Sequence, residues 1–389
     1  MKKRLISLFI ATAAIISASC GVFYAQNIGK KPAVSQNTTE NSFTFSLKTA
    51  KSALRLCSLW ESEEGLKACL EKKGYENISI MHTEPSLKSD NKAGLLLAFK
   101  DNTLLCLIRG TKGEEWYSNF YVGEGAQHAG FSKAKDLFAE DIDAYLENLQ
   151  ISKESTEVFI SGHSRGAAVG NLLAAELIDS QAFKSVSAYT FACPNTTTLE
   201  VAENSRYQSI VNIINPQDFI CYIPLPQWGY RRYGVSIELP TYGTENFESL
   251  YAQMESSYVA DNCTALRTFP HKGKDVENII SYLAYLAPSP RDYYEKEIPV
   301  GSFRLSMYDY MMKLAAVMSG ENPILHGLFM LSCESVPEVS AITEFVFGTL
   351  SEEELKSPKS LEASPVVANH LTPAYEAWLT VLDEEYFTK

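Results

Sequence analysis

Short apolar blocks punctuate the first 235 positions, alternating between strand-like runs and helix-like spacing. Ala93–Phe99 and Thr103–Arg109 are runs of strand length, and Lys100-Asp101-Asn102 between them supplies turn residues, so the pair predicts a β-hairpin. Ile78–Met81 predicts a short strand just before it. Phe131–Leu149 places apolar residues three and four apart, the spacing that loads one face of an α-helix. Val158–Ser161 predicts a buried strand, and Arg165–Ile178, rich in small residues, a helix leaving it. Val186–Ala192 and Ile210–Ile214 predict two further strands. Upstream, a helical pattern runs from Leu47 to about Lys73 with a break near Gly65. Strands separated by helices bury both faces of a sheet. The pattern predicts an α/β fold, a mostly parallel central sheet with helices on both faces.

The alternation stops after Tyr233. Residues 236–365 hold helical stretches at Val276–Leu286 and Ser306–Met318 with a Pro288-Ser289-Pro290 joint, and the core pattern resumes near Val366. This predicts a core over 46–235, a mostly helical insertion or cap over 236–365, and a last piece of core over 366–389. Residues 20–45 are polar with few large apolar side chains, as in a flexible tether. Before them, Lys2, Lys3 and Arg4 precede the apolar run Leu5–Ala18, which has the length of a signal-peptide core and falls short of a membrane span. Residues 1–19 therefore read as an export signal, and the chain as extracytoplasmic, secreted or held at the cell surface. Ser17-Ala18-Ser19-Cys20 resembles a bacterial lipoprotein signal, in which Cys20 becomes the lipidated first residue and a membrane tether. Ser17 stands where such signals carry a large aliphatic residue, so cleavage after Ser19 without lipidation remains the alternative.

Of the 389 residues, 46% are hydrophobic, ample for a large buried core. A net charge of −13 repels phosphate backbones and argues against a nucleic-acid partner. Cys57, Cys69, Cys106, Cys193, Cys221, Cys263 and Cys333 follow Cys20. Their number is odd and several lie inside apolar strands, which predicts buried thiols for most. With no Cys-x-x-Cys pair and no His-rich tract, a metal site has no support.

The predicted strand Val158–Ser161 meets the predicted helix through Gly162-His163-Ser164-Arg165-Gly166. A serine hydroxyl is a weak nucleophile unless it is exposed beside a base, and a sharp strand-to-helix turn gives that exposure. The N–H of the next residue, Arg165, then points to where an oxyanion would form. An acid and a base follow such a serine along the chain. Asp218, just after the Ile210–Ile214 strand, is the acid candidate, although strand-end aspartates are also common turn formers. The base candidates are His271, His326 and His370. His370 lies on a loop entering the last helix, His326 in an apolar run, and His271 among Arg267, Lys272 and Lys274. His163 adjoins Ser164, and adjacent side chains there diverge. A second oxyanion donor is expected after an earlier strand, where Arg109-Gly110-Thr111 offers the N–H and hydroxyl of Thr111. This chemistry requires no cofactor.

Taken in order, these pieces resemble the class 3 lipase family of α/β-hydrolases, the fungal triacylglycerol lipase type. Ile108-Arg109-Gly110-Thr111 stands for its Phe-Arg-Gly-Thr, His128-Ala129-Gly130-Phe131 for its His-x-Gly-Phe, and Gly162–Gly166 for its Gly-His-Ser-Leu-Gly. Thr190-Phe191-Ala192-Cys193-Pro194 stands for Thr-Phe-Gly-x-Pro, Asp218 with Ile223-Pro224 for the acid and its Leu-Pro, and His370 with Tyr375 for the terminal His and Tyr. The matches cover about residues 93–234 and 366–385. The resemblance implies an α/β-hydrolase fold in which Ser164 is the nucleophile, Asp218 the acid and His370 the base. It makes Thr111 and the Arg165 N–H the oxyanion hole and needs neither cofactor nor metal. The implied partner is a lipid or small ester. A peptidase or acyltransferase on the same triad, and a non-catalytic acyl-binding protein, remain the alternatives.

The sequence also departs from the family. Arg165 replaces an apolar residue, so its charged side chain needs a partner, and Ala167 replaces a glycine. The family's lid is expected at Lys112–Tyr121, with Trp116 in the matching place. Between Asp218 and His370 lie 151 residues, more than the family interval. The insertion's aromatics (Phe247, Tyr251, Tyr258, Tyr293, Tyr294, Tyr308 and Tyr310) read first as its own core and second as the lining of an acyl pocket.

Overall fold

A computed structural model of the chain describes residues 43–82, 93–112, 115–269, 273–300, 303–318, 345 and 364–388. The chain divides after Phe43, and the unit from Thr44 onward is described below. The predicted export signal, Cys20, His271, His326 and Cys333 lie outside the described residues, as does much of the insertion beyond Met318.

Seven strands form one sheet in chain order: β1 (Glu76–His82), β2 (Gly94–Lys100), β3 (Thr103–Ile108), β4 (Glu157–His163), β5 (Ser185–Phe191), β6 (Ile210–Ile214) and β7 (Val235–Glu238). β1 to β3 pair antiparallel, and from β3 onward every pairing is parallel. The predicted hairpin is β2–β3, turning through Asp101 and Asn102 at φ 49° and 65°. Both residue types tolerate the left-handed region that a tight hairpin turn requires. The predicted break near Gly65 falls earlier, between α1 (Leu47–Ser58) and α2 (Glu63–Lys72). Ser62 causes it by capping α2, its Oγ accepting the Gly65 N–H at 3.1 Å.

α3 (Glu115–Asn119) and α4 (Ala129–Leu149) follow β3, and α5 (Arg165–Ser180) follows β4 without a connecting loop. Phe131, Phe138, Ile142 and Leu146 of α4 and Val169, Leu172 and Leu173 of α5 share one core with Leu95, Leu97, Cys106, Val158 and Ile160. The opposite face takes α1, whose Cys57 thiol lies 3.5 Å from the Ser161 hydroxyl. Ser161 and Ile160 are adjacent on β4, so their side chains point to opposite faces. The predicted helix-between-strands rhythm fails after β5. Only short 3₁₀ turns at Glu200–Glu203 and Ser205–Tyr207 lead to β6. β7 straddles the predicted boundary at residue 235. Its four residues include two polar ones, too short and mixed a run to read as a strand.

Within 239–318 the described residues form α6 (Phe247–Asn262), α7 (Asp275–Leu286), α8 (Pro290–Glu295), the ribbon β8 (Glu297–Val300) with β9 (Phe303–Ser306), and α9 (Met307–Met318). The aromatics here do more than fill their own core. Tyr293, Ile279, Leu286 and Tyr310 cluster with Val122 and Tyr230 of the preceding region. The Tyr293 hydroxyl donates to the Phe120 carbonyl at 3.0 Å, and the Gly123 N–H donates to the Tyr294 oxygen at 2.8 Å. α10 (Pro365–His370), α11 (Thr372–Val381) and α12 (Glu384–Thr388) end the chain. Phe247 and Tyr251 of α6 lie against Trp378 of α11, at ring separations of 6.3 and 6.1 Å.

The junction of β4 and α5 is the tightest place in the fold. A Cβ on Gly162 would lie 2.4 Å from the Gly166 carbonyl, and one on Gly166 2.3 Å from the Ile108 carbonyl oxygen. Both are backbone clashes, so no side-chain rotation relieves them. Gly166→Ala is expected to lose about 3 kcal/mol or more in urea unfolding. Gly125→Ala, where the nearest atom to the added Cβ is 3.8 Å away, serves as the control and should change little. Equal stability of the two variants would refute the packing argument.

Candidate active site

β4 ends at His163 and α5 begins at Arg165, so Ser164 alone makes the turn. Its φ of 58° and ψ of −126° are sparsely populated for a residue with a side chain. The Ser164 N–H donates to the Phe191 carbonyl at 3.0 Å, which ties the turn to the end of β5. Ser164 stays 9% exposed above an otherwise closed core.

Asp218 and His370 reach the serine from distant parts of the chain. Asp218 follows β6 and caps a 3₁₀ turn, its Oδ1 accepting the Ile220 N–H at 3.0 Å. It is fully buried, and His370 is 8% exposed. His370 is the last residue of α10, a helix started by Pro365 behind the Ser364 cap. The Asn215 side-chain amide donates to the Asn369 carbonyl at 3.1 Å and anchors that helix end beside β6. His370 Nδ1 lies 2.8 Å from Asp218 Oδ2, and His370 Nε2 lies 2.7 Å from Ser164 Oγ. With Nδ1–H donating to the carboxylate, Nε2 is left to accept the serine proton. Asp218 Oδ2 also accepts the Tyr375 hydroxyl at 2.8 Å and the Cys221 thiol at 3.3 Å. A buried carboxylate is tolerable when its lone pairs are met in this way. Tyr375 cannot rotate off, since its oxygen accepts the Asn215 N–H at 3.1 Å.

Ser164, Asp218 and His370 are therefore brought together. His163 stays out of reach of the serine proton and bonds instead to the base's backbone, its Nε2–H donating to the His370 carbonyl at 2.6 Å. Burial above all, then the nearby His370, pushes His163 down to about 3, so it remains neutral. Nothing in the residue order pointed to that bond.

The Arg109-Gly110-Thr111 turn lies against the serine elbow. A Cβ on Gly110 would be 3.3 Å from the His163 carbonyl and 3.9 Å from Ser164 Cβ. Thr111 Oγ1 accepts from the Asn119 amide at 2.9 Å. The partner that Arg165 needed is Asn119 too: Arg165 Nη1 donates to Asn119 Oδ1 at 2.9 Å, and Nη2 to the Gly130 carbonyl at 3.3 Å. Arg165 is 1% exposed, and its guanidinium carbon sits 5.7 Å from the Phe131 ring centre. Burial draws Arg165 down to about 10, against the charge of buried Glu115, which holds it up. Glu115 pairs with Arg109 at 3.2 Å and accepts the Lys112 N–H. Its own carboxyl is raised by burial, which outweighs the two arginines. Asn119 and Glu115 fall inside the stretch read as a lid, and their types alone gave no role.

His128 explains the His-x-Gly-Phe motif. Its Nε2–H donates to the Asn119 carbonyl at 3.1 Å, while its Nδ1 accepts the Phe131 N–H at 3.4 Å. A single ring proton satisfies both nitrogens, and a second would face an N–H. Burial and then the Arg165 charge lower His128 to about 3. Gly130 is required because a Cβ there would lie 1.9 Å from the Ser118 carbonyl oxygen.

Beside this corner runs an apolar groove, partly open to solvent. One wall is Asn119, Phe120 and Val122, and another is Phe219, Ile223, Leu225 and Trp228 just after Asp218. The insertion contributes Leu283, Ala287, Tyr293, Met307 and Met311.

A serine at a strand–helix elbow, with its acid and histidine following in the chain on a mostly parallel sheet, defines an α/β-hydrolase fold. Residues 107–228 match the family model for class 3 lipases. A secreted mono- and diacylglycerol lipase of Malassezia globosa is 28% identical over 124 residues, 30% of this chain. The match spans 40% of that relative's length. Among solved structures, a mono- and diacylglycerol lipase from Aspergillus oryzae aligns with a TM-score of 0.40 at 17% identity, covering 51% of this chain and 81% of that one. A Rhizomucor miehei triacylglyceride lipase aligns with a TM-score of 0.34 at 19% identity, covering 50% and 78%.

The buried neutral histidines make stability depend on pH. In the unfolded chain His128 takes up a proton near the usual 6.5, whereas folded it stays neutral down to about 3. Between those values the unfolded state binds the extra proton, so this contribution is complete above 6.5 and is lost as pH falls towards 3. The urea midpoint should fall steadily from about pH 7 to about pH 4. His128→Gln should be less stable at neutral pH but show a shallower fall. Parallel slopes for the two proteins would contradict the assignment.

Proposed function

We propose that this protein is an exported serine hydrolase that cleaves carboxylic esters, with lipid esters, and acylglycerols foremost, as its substrates. The observation that carries the reading is the unbroken hydrogen-bond chain Ser164–His370–Asp218, at 2.7 and 2.8 Å, beside an apolar groove. In this mechanism Ser164 Oγ attacks the ester carbonyl carbon while His370 Nε2 takes its proton. Asp218, fixed by Tyr375 and the Ile220 N–H, stabilises the imidazolium. The oxygen that gains charge faces the Arg165 N–H together with the Thr111 N–H and hydroxyl. Losing one such donor typically costs about 3 kcal/mol of transition-state stabilisation. Collapse expels the alcohol, which takes the proton from His370, and water then cleaves the acyl-serine by the same steps in reverse.

The groove supports an acyl chain as the part of the substrate held longest. Each buried methylene gains about 0.8 kcal/mol, so a groove of this kind ranks substrates by chain length. The family and the mono- and diacylglycerol lipase of Malassezia globosa favour acylglycerols within that class. Export rests on Lys2-Lys3-Arg4 and the apolar run Leu5–Ala18. Among the described residues no helix is long and apolar enough to cross a membrane. Cys20, once lipidated, is the proposed point of membrane attachment.

A series of p-nitrophenyl esters of rising chain length tests the site. Ser164→Ala and His370→Ala should each lose about 10⁴-fold or more in kcat, and Ser164→Ala should also lose fluorophosphonate labelling, whereas His326→Ala should keep activity. Survival of His370→Ala with loss in His326→Ala would reassign the base. Ala287→Trp, which fills the insertion side of the groove, should move the optimum to shorter esters, and an unchanged optimum would remove the groove from the substrate path. The N-terminal mass of protein purified from membranes decides the tether. A diacylglyceryl adduct on Cys20 supports it, and an unmodified residue there refutes it.

A further inference from the structure

Arg165 is the residue at which this chain departs from its family's serine elbow, and its side chain reaches the other half of the site. We propose that the Arg165 guanidinium is a positioning group that, through Asn119, turns the Thr111 hydroxyl into an oxyanion donor; the proposal rests on the hydrolase reading above.

The argument begins with what each group can do. A guanidinium donates hydrogen bonds and accepts none. Facing Arg165 Nη1 at 2.9 Å, the Asn119 amide must present its oxygen. The reversed amide would set two donors against each other, so the chemistry of the arginine fixes the orientation. With Oδ1 committed, Nδ2 is the end that meets Thr111, and it donates to Oγ1 at 2.9 Å. Thr111 Oγ1 is thereby an acceptor towards Asn119, and its proton is not consumed by that bond. The hydroxyl can give that proton to an oxygen forming over Ser164. The turn that carries Thr111 lies against the elbow at Gly110, where an added Cβ would come 3.9 Å from Ser164 Cβ.

The arginine is itself held in place. Its second nitrogen donates to the Gly130 carbonyl at 3.3 Å, and its plane lies by the Phe131 ring. Glu115 balances its charge and also braces both sides of Thr111, pairing with Arg109 and accepting the Lys112 N–H. A cation 1% exposed is costly to bury, and an apolar residue at this position would avoid that cost. The cost is offset if the guanidinium sets a group the reaction uses. Only the side chain is involved, so the Arg165 backbone N–H keeps its separate role in every variant.

The test is a kinetic double-mutant cycle on p-nitrophenyl butyrate, with fluorophosphonate labelling to count competent serines. Arg165→Leu should lower kcat about 10- to 100-fold with KM nearly unchanged and full labelling, and Thr111→Val should lower it about 100-fold. If Arg165 acts through Thr111, adding Arg165→Leu to Thr111→Val costs less than about twofold more. Multiplying losses, or a full kcat in Arg165→Leu, would overturn the proposal. Asn119→Asp covers the case in which Arg165→Leu does not fold. A carboxylate keeps the bond to Arg165 but accepts the Thr111 proton, so kcat should fall about 10-fold or more while the melting temperature holds. Unchanged kcat in this variant also overturns the relay. Wild-type protein that neither labels nor hydrolyses any ester would instead defeat the hydrolase reading.

Discussion

The whole site depends on how closely α5 can approach β4 and β3. The helix starts one residue after the strand ends, so its first turn lies directly on the backbone of Ile108 and Arg109. Two glycines make this contact sterically feasible, and the residue caught between them, Ser164, is forced to a positive φ. That strain lifts the hydroxyl out of the sheet. It also leaves the Arg165 N–H as one of the first unpaired donors of a helix N-terminus, where developing negative charge is favoured. Packing, not any local propensity of Gly-His-Ser-Arg-Gly, builds the geometry.

From that fixed point the remaining groups are brought in by sheet order. Parallel register puts the ends of β3, β4, β5 and β6 on one edge, so the segments carrying Thr111, Ser164 and Asp218 emerge side by side. His370 lacks such a strand and is secured instead by capping of α10 and by bonds from Asn215 and His163 to its backbone neighbourhood. Several neutral, buried polar groups thus hold one imidazole.

Much of this was legible from residue order, and the exceptions share a cause. The strands flanking the elbow, the hairpin and the α4 and α5 helices are long apolar patterns whose period is set by burial on one or two faces. Ser164 and Asp218 were legible because each follows an apolar strand pattern, whereas His370 was one of three candidate bases until the family resemblance singled it out. β7 was not, since four residues with two polar side chains carry too little periodicity. The break at Ser62 was assigned to Gly65 because a glycine is the stronger local signal, whereas a side-chain cap decided it. Glu115, Asn119 and the His163 bond to His370 depend on contacts between elements far apart in sequence, and no local pattern encodes them. Arg165 lies between these cases. Its oddity was visible as a charge in an apolar slot, but its partner was not.

The stretch after Thr111 shows how one segment takes on a second duty. Glu115–Asn119 follows the Arg109-Gly110-Thr111 turn where the family's lid was expected, and its next residues are bonded to the insertion through Tyr293 and Tyr294. The same stretch supplies Asn119 to Thr111 and Arg165, and Phe120 and Val122 to the groove. Opening it as a lid would break the bonds to Thr111 and expose a buried Glu115 carboxyl and an Arg165 cation that neutralise each other in place. A segment with those attachments serves better as a wall than as a door. The described residues between Asp218 and His370 then have a physical use: Leu283, Ala287, Tyr293, Met307 and Met311 provide the opposite wall of the groove.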